Sequence, residues 1–401
     1  MTSKVFTTAN PSQAEIGVIG LIEQLRDDLK FRVHEPRRWV GTMRRMSEAR
    51  AIQASNSIEG YNATLSDVVA AADGEEPMEA DEATRHALAG YREAMTYVLQ
   101  ISQDPEVAAA DEGLLKSLHF MMLKHDLSKH PGRWRPGAIR VVDEGAREVV
   151  YEGPPAEEVP ELITAMLDEL AAPSTTPNLI RAAMAHLNLV MIHPFSDGNG
   201  RMARCVQTLV LAREQIIVPT FSSIEEYLGH HTPEYYAVLA EVGQGSWHPD
   251  NDPRPWIRFS LKAHYIQART QLQRIQEYEQ LWVASSRLAE QHRLPDRVIG
   301  ALGEAALGIR VRSTTYRANV QTTWGEEVSE LTASRDLKAI VTSGLFLPVG
   351  NTRARYYLAS DRLTAAWDEI KSHRPARDDV DPFALVEQGI QEPLFETSPA
   401  S

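Results

Sequence analysis

The sequence has a single cysteine, more acidic than basic residues and no long apolar run. One cysteine among 401 residues excludes an intramolecular disulfide and favours a reducing, cytoplasmic compartment. The formal net charge of −14 argues against nucleic-acid binding over the whole surface, although it permits a local basic patch. No apolar stretch reaches the length of a membrane span, and the N-terminus has no apolar signal-peptide region. We therefore expect no membrane partner.

The chain is long enough for two or three domains, and 43% hydrophobic residues are ample for a core. It has no internal repeat. Composition and punctuation divide it into N-terminal helices over residues 1–75, a central domain over 76–290, a helix-and-hairpin domain over 291–374, and a tail over 375–401. The tail is rich in proline and aspartate, which predicts that it is mobile.

The most informative stretch is HPFSDGNGRMAR, residues 193–204. The segment 179–192 before it is apolar on all sides, which predicts a buried helix. Thr176 is predicted to be the N-cap of that helix, with Pro177 at its first position. A second helix is predicted from Arg201, because apolar residues recur there at helical spacing. A glycine-containing loop thus lies between two helices.

This loop has the features of an anion-binding turn. Gly198, Asn199 and Gly200 lead into a helix N-terminus, where unpaired N–H groups and the helix dipole favour negative charge. The glycines allow the main chain to approach a ligand closely. Arg201 and Arg204 lie three residues apart on one helix face and suit bidentate binding of phosphates.

Two further side chains of the loop suggest a reaction. Asp197 is the only acid in it, and beside phosphates a lone carboxylate suits Mg²⁺. His193 ends the preceding helix, and an ordinary imidazole pKa allows it to accept a proton from a hydroxyl at neutral pH. The stretch therefore predicts a site for attack on a nucleotide phosphate.

At every fixed position the stretch matches the signature H-x-F-x-(D/E)-G-N-G-R-x-x-R, and it resembles Fic domains. The resemblance implies a mainly α fold, a helical bundle with a small β-hairpin flap, that transfers AMP from ATP to a Ser, Thr or Tyr hydroxyl of a target protein. It makes His193 the general base, Asp197 the Mg²⁺ ligand and Phe195 the anchor of the loop. The ATP-binding residues that it implies are Gly198, Asn199, Gly200, Arg201, Met202, Ala203, Arg204, His230 and Tyr235.

The last two of these residues belong to a second region. Thr232 and Pro233 predict a helix start, as N-cap and first residue. Tyr227, His230 and Tyr235 around it are expected to flank the adenine or ribose, but aromatic residues at helical spacing are equally typical of a core. Cys205 lies on the apolar face of the signature helix and is expected to be a buried small hydrophobic residue.

A second motif precedes the signature. Ser55 to Gly60, SNSIEG, ends a predicted helix over 43–58 with Gly60 as its C-cap glycine, and it resembles the inhibitory motif (S/T)-x-x-x-E-(G/N) of Fic proteins. A carboxylate at a helix C-terminus faces the negative end of the dipole and favours a cation. The resemblance makes that cation Arg204, so Glu59 would remove Arg204 from the γ-phosphate and autoinhibit the enzyme. The alternative is an ordinary exposed glutamate.

Two β-branched runs, 138–142 and 148–151, predict a hairpin. The resemblance implies that it is the flap that grips the acceptor segment of the target by strand-like pairing. A surface hairpin without function is the alternative.

The order of helices and a hairpin over 291–374 resembles a winged helix. Arg335 and Lys338 would lie on its second helix, with Arg353 and Arg355 on the wing, so DNA binding is one reading. The acidic chain favours a protein-contact or homodimer module instead.

Three alternatives stay open for function. Fic proteins whose signature loop is altered transfer groups from donors other than ATP. In this sequence Asp197 and Arg204 of the signature are both present, which favours ATP as the donor. Glu59 makes removal of AMP a conceivable second activity. The third alternative belongs to a different class of function: a DNA-binding regulator whose Fic fold senses nucleotide.

Overall fold

The structure is a computed structural model, and it describes residues 4–8, 10–34, 37–104, 110–143, 148–213, 223–351, 355–374 and 380–389. The described chain is mainly helical and contains two separate two-stranded antiparallel sheets. This confirms the predicted mainly α class. Of the described helices, none is both long enough and apolar enough to span a membrane.

The N-terminal and central parts surround one large hydrophobic core. Their helices are α1 Gln13–His34, α2 Val40–Ile58, α3 Leu65–Ala72, α4 Glu82–Ile101, α5 Glu112–Leu123, α6 Val159–Ala171, α7 Asn178–Ile192, α8 Asn199–Ala212, α9 Glu225–His230, α10 Thr232–Gly243 and α11 Arg254–Gln291. The hairpin consists of β1 Arg140–Asp143 and β2 Glu148–Glu152. Both strands lie where the sequence predicts a hairpin.

Helix α7 lies at the centre of this core, as its apolar sequence predicts. Twelve of its 15 residues are buried, and it packs along α8. Helix α8 begins at Asn199, two residues before the predicted start. Cys205 on α8 is fully buried, as expected, and burial raises the pKa of its thiol. The loop over residues 193–198 therefore joins two helices that are both buried in the core.

Both predicted threonine caps are wrong. Helix α7 begins at Asn178 with Pro177 in the N-cap position, so Thr176 lies one residue too early to cap it. The hydroxyl of Thr232 donates to carbonyl oxygens at the end of α9, at 3.1 and 3.2 Å. Because α9 ends immediately before α10 begins, its free carbonyl groups compete for this hydroxyl.

The C-terminal unit has its own core. Its elements are α12 Ile299–Ala306, α13 Ser313–Trp324, α14 Glu330–Thr342, β3 Phe346–Val349, β4 Tyr356–Ala359 and α15 Asp361–Ser372. The sequence analysis missed α13, so Arg335 and Lys338 lie on the third helix of the unit rather than the second. Arg353 lies outside the described residues. The winged-helix assignment and DNA binding remain predictions.

The C-terminal unit contacts the helices at the N-terminal end through buried ion pairs. Arg45 of α2 pairs with Glu304 of α12 and, at 3.1 Å, with Asp73 after α3. Arg310, which precedes α13, pairs with Asp67 of α3. Glu304 is 2% exposed and Asp67 is fully buried. The unit thus contacts α2 at Arg45, in the first half of the helix.

The predicted mobile tail needs a correction over residues 382–387. These residues form a helix, α16 Pro382–Glu387, capped by Asp381, whose carboxylate accepts the N–H of Phe383 at 3.1 Å. Val386 packs so tightly on α1 that a Cβ at Gly17 would lie 2.6 Å from its side chain. The apolar residues of this short helix pack against the main hydrophobic core, which the composition of the tail did not predict. Residues 375–379 and 390–401 lie outside the described residues.

Candidate active site

His193 ends α7 in a left-handed conformation, with φ of 52° and ψ of 58°. This conformation is uncommon for a residue with a side chain and is held only by its surroundings. Nδ1 lies 3.1 Å from the carbonyl oxygen of Val190. Since a carbonyl only accepts, Nδ1 carries the hydrogen and Nε2 is the basic nitrogen.

Burial lowers the pKa of His193 below 6.5, and the nearby guanidinium of Arg135 acts in the same direction. The imidazole is therefore neutral at pH 7 and able to accept a proton.

Arg135 fixes the backbone on both sides of the active-site mouth. Its side chain is buried and donates to the carbonyl oxygens of His193, at 2.9 Å, of Gly137, at 2.6 Å, and of Pro154. Its own N–H donates to the carbonyl of Pro194 at 2.9 Å. Gly137 precedes the flap and Pro154 follows it, so one guanidinium joins the catalytic loop to both ends of the hairpin. Nothing in the sequence around Arg135 indicates this role.

Phe195 anchors the loop, as the resemblance implies. Its fully buried ring stacks on His119 at 3.8 Å and contacts Trp134 at 4.9 Å. The side-chain amide of Asn199 makes two 2.9 Å hydrogen bonds to the main chain of Phe195. Asn199 therefore braces the loop with its side chain, and its contribution to an anion site is limited to its main-chain N–H.

Asp197 is held at the turn. Its Oδ1 accepts the N–H of Gly198 at 2.6 Å, and its Oδ2 lies 3.3 Å from the ammonium of Lys129. The ring of His119 donates from Nε2 to the carbonyl of Asp197 and accepts the N–H of Gly132 at Nδ1. Burial lowers the pKa of His119 to about 4, so this imidazole stays neutral and keeps both bonds.

A magnesium ion fits Asp197 only together with a nucleotide. The carboxylate is 30% exposed, and among the described residues no group of three or more His, Cys, Asp or Glu side chains gathers to hold a metal. Mg²⁺ is commonly bound by one or two carboxylates while phosphate oxygens and water supply the other ligands. The donor set at Asp197 agrees with that arrangement.

Arg201 is buried without an anion. It is 1% exposed, and its Nε and Nη1 have no hydrogen-bond partner within the described part of the chain. Its guanidinium lies 5.3 Å from the ring centre of Tyr61, which sequence reasoning did not single out. A buried, unpaired guanidinium is costly and is compensated when an anion binds. Together with the helix N-terminus, this side chain offers positive charge and unpaired donors to an anion.

Arg204, also 1% exposed, already has partners on α2. Its Nε donates to the hydroxyl of Ser55 at 2.7 Å, and its Nη2 donates to the carbonyl of Ser55 at 2.9 Å and to Glu59 at 2.6 Å. Burial acts to lower the pKa of Arg204, but Glu59, Tyr235 and Tyr91 together outweigh it and the pKa is raised. Gly60 follows with φ of 85°, as predicted for the residue after a helix end. The predicted contact between Glu59 and Arg204 is present.

The carboxylate of Glu59 lies against the start of α8. A Cβ placed on Gly200 would be 2.4 Å from Glu59 Oε1 and 3.2 Å from Arg204 Nη1. Only a glycine permits an anion to come this close to the main chain at this position. Glu59 therefore takes the place at the helix N-terminus that the sequence assigns to a phosphate.

The other predicted ATP contacts differ in their accessibility. Met202 and Ala203 are fully buried, and the N–H of Met202 donates to the carbonyl of Gly198. Their side chains belong to the core rather than to the ligand side of α8. His230 is exposed at the end of α9.

Tyr235 also belongs to the core in this structure. It is 1% exposed and donates from its hydroxyl to His186 Nε2 at 2.9 Å. Tyr236, the next residue, is 48% exposed, and its hydroxyl lies 3.3 Å from the carbonyl of Ile58, the neighbour of Glu59. The sequence analysis missed Tyr236, although the Tyr-Tyr pair signals that one ring faces inward and the other outward.

Residues 109–211 match the profile of the Fic/DOC family, and this range holds His193, the loop, Arg201 and Arg204. The chain contains a Fic domain. It is 29% identical over 218 residues to a protein named protein adenylyltransferase Fic from Nematostella vectensis, a match that covers 53% of this chain and 46% of that protein. It is 34% identical over 106 residues to protein adenylyltransferase fic-1 of Caenorhabditis elegans, covering 26% of this chain and 18% of the relative. The matches thus span less than half the length of these relatives.

Solved structures of Fic proteins share the fold. A Fic family protein from Desulfovibrio desulfuricans superposes with a TM-score of 0.55 at 22% identity, over 88% of this chain and 98% of that one. A Fic-1 fragment from C. elegans superposes with a TM-score of 0.51 at 23% identity, over 64% of this chain and 72% of that one. The helical Fic fold extends beyond the matched residues 109–211.

Proposed function

We propose that the protein is an adenylyltransferase that transfers AMP from ATP to a hydroxyl group of a target protein. The observation that carries the proposal is Arg201, a fully buried guanidinium with two unpaired nitrogen atoms at the N-terminus of α8. A site of this kind is stabilised by a phosphate. His193, with its basic Nε2, lies on the same loop. The names of the relatives support the same activity.

The residues of the loop divide the reaction between them. The start of α8 and Arg201 bind the phosphates, and Arg204 binds the γ-phosphate once Glu59 has left it. Nε2 of His193 accepts the proton of the target hydroxyl, whose oxygen attacks the α-phosphorus. The bond from this phosphorus to the bridging oxygen breaks, and pyrophosphate leaves with the electron pair. Mg²⁺ held by Asp197 would neutralise charge on the phosphates.

The flap supports a protein as the acceptor. Val142 of β1 and Val149 and Val150 of β2 are 48%, 53% and 42% exposed. Among the described residues no further strand lies beside β1, so its outer edge is open to pairing with an extended segment, whereas β2 is bridged to Ser246 at Glu152. The hydroxyl of Tyr151 donates to the carbonyl of Met191 at 2.8 Å and ties the flap to α7. We infer that the flap grips the acceptor segment beside His193.

We further propose that Glu59 inhibits this activity. Its carboxylate holds Arg204 and lies against Gly200, so it competes with a triphosphate for both groups. ATP bound without Arg204 would lack its γ-phosphate ligand. Removal of AMP with the help of Glu59 remains a prediction.

The experiment compares three proteins incubated with ATP and Mg²⁺, with mass spectrometry of the intact chain as the readout. We expect Glu59→Gly to gain AMP at least about tenfold faster than wild type, since it frees Arg204. His193→Ala in the Glu59→Gly background should abolish the gain. UTP, GTP and CDP-choline offered in equal amounts test the donor. If Glu59→Gly gains no nucleotide, or gains it equally well without His193, the proposed function is wrong.

A further inference from the structure

We propose that Tyr61 is a positioning residue that holds the guanidinium of Arg201 in place for a nucleotide phosphate. This inference rests on the proposed function, because it assigns a role within the same site. Tyr61 is two residues beyond Glu59, and its ring centre lies 5.3 Å from the guanidinium carbon of Arg201. We therefore expect these two near neighbours to act on ATP binding in opposite directions.

The turn that ends α2 determines where Tyr61 lies. The N–H of Gly60, whose φ is 85°, donates to the carbonyl of Ser57 at 3.0 Å. The N–H of Tyr61 donates to the carbonyl of Asn56, also at 3.0 Å. Two such bonds around a left-handed glycine form a Schellman motif, which fixes the direction in which the chain leaves a helix. Asn56 also accepts the N–H of Glu59 at 3.1 Å, so one carbonyl holds the backbone of both Glu59 and Tyr61.

This turn offers different partners to the two arginines of α8. Both are 1% exposed, and Arg204 donates to Ser55 and Glu59. Nε and Nη1 of Arg201, in contrast, have no hydrogen-bond partner within the part of the chain that the structure describes. Tyr61 gives Arg201 the face of an aromatic ring, which attracts a cation through its quadrupole. A ring face uses none of the N–H groups of a guanidinium, so they stay available to phosphate oxygens.

The guanidinium that Tyr61 contacts also lies at the start of α8. A Cβ placed on Gly198, the N-cap residue, would be 3.7 Å from Nη2 of Arg201. A phosphate bound at this helix N-terminus therefore reaches the same guanidinium. Without the aromatic ring, water beside Arg201 would screen its charge, and a looser side chain would lose more conformational entropy when the phosphate binds. Both effects weaken the binding of a phosphate.

The test measures binding by calorimetry in Glu59→Gly/His193→Ala, which frees Arg204 and prevents turnover. We expect Tyr61→Leu to weaken ATP binding about fivefold or more, since the cation loses its aromatic partner. Adenosine, which has no phosphate, should bind as it does to the parent. Tyr61→Phe should match the parent for both ligands, because the hydroxyl of Tyr61 makes no hydrogen bond with a described residue. The matched control is Tyr97→Leu, at a ring that is 41% exposed on α4.

Two further measurements separate an effect on Arg201 from a general effect on α2. In an Arg201→Ala background, Tyr61→Leu should change ATP binding by less than about twofold, because the interaction that it removes is already absent. Tyr61→Phe with one, two or three fluorine atoms on the ring keeps the ring's shape and weakens its negative face. The Kd for ATP should rise with each fluorine atom, and this series decides the matter even if Tyr61→Leu does not fold.

The outcomes distinguish the inference from the proposed function. Unchanged or tighter ATP binding by Tyr61→Leu overturns the inference while AMP transfer stands, and tighter binding would mean that the ring competes with phosphate. An equal loss in the Arg201→Ala background, or no trend with fluorination, also overturns it. If Glu59→Gly transfers no AMP, the proposed function fails, and inorganic pyrophosphate becomes the probe. A Kd for pyrophosphate that Tyr61→Leu raises then supports the inference, whereas an unchanged Kd or no binding overturns it.

Discussion

The proposed catalytic loop and helix α2, which carries the proposed inhibitory Glu59, meet at Arg204, but their polar contacts are of different kinds. The loop is fixed through main-chain groups: Arg135 donates to three carbonyls, and Asn199 pairs with both main-chain groups of Phe195. Helix α2 packs its apolar side on the core, and its polar contacts at the two ends are made by charged side chains, Glu59 with Arg204 and Arg45 with Glu304.

The proposed reaction requires that the geometry of the loop stays constant, whereas the contact between Glu59 and Arg204 has to break. A base and a phosphate turn need a fixed geometry, and hydrogen bonds to the backbone provide it without depending on a second titrating group. An inhibitory contact has to be broken, and a carboxylate on an arginine is exchanged for a phosphate without leaving a charge unpaired. The predictions below disturb one side at a time.

The largest effect is expected on the catalytic side. Arg135→Met in the Glu59→Gly background should lower the rate of AMP transfer about 100-fold, because three carbonyls lose their donor and His193 shifts. Binding of ATP, measured by calorimetry, should change much less. Arg287→Met, at an exposed position of α11, is the control and should match the parent. A rate within threefold of the parent would show that Arg135 does not position the base.

A smaller, opposite effect is expected from the C-terminal unit. Glu304→Gln leaves Arg45 with Asp73 alone and should loosen α2, so wild-type automodification should rise about threefold. Glu326→Gln, in an exposed loop of the same unit, should have no effect. In the Glu59→Gly background the gain from Glu304→Gln should vanish, because the inhibitory carboxylate is already gone. Equal gains in both backgrounds would mean that Glu304 acts elsewhere.

The smallest effect concerns pH. Burial lowers the pKa of His193 below 6.5, whereas Glu59 acts to raise it. Since only the neutral imidazole accepts a proton, activity should rise with pH through this pKa and be constant at pH 7. The midpoint should lie below 6.5, and lower in Glu59→Gly than in wild type. Single-turnover rates between pH 5 and 8 measure it, and a midpoint above 6.5 would contradict the assignment of His193.

The sequence predicts the parts of this site that are contiguous. The turn, its two arginines and His193 lie within 12 residues, so their types and spacing carry the chemistry. The contact of Glu59 with Arg204 spans 145 residues and was predicted only from a resemblance between motifs. The apolar run 179–192 predicted the buried helix α7, whereas the mainly α class was predicted from the resemblance to Fic domains.

What the sequence did not reveal depends on contacts between distant segments. Nothing in the sequence around Arg135 shows that its side chain donates to a carbonyl 58 residues away. The threonine caps were wrong because the exact helix start depends on neighbouring elements. Tyr236, rather than Tyr235, is the exposed ring, because periodicity does not distinguish which of two adjacent tyrosines faces the core.

The most direct test of the account is the binding of ATP and of AMP to wild type and to Glu59→Gly, by calorimetry, with His193→Ala in both to prevent turnover. If Glu59 and the γ-phosphate compete for Arg204, Glu59→Gly should bind ATP at least about tenfold more tightly, while AMP binding stays within twofold. Equal changes for the two nucleotides, or no change for ATP, would contradict the claim that one arginine is shared between inhibition and catalysis.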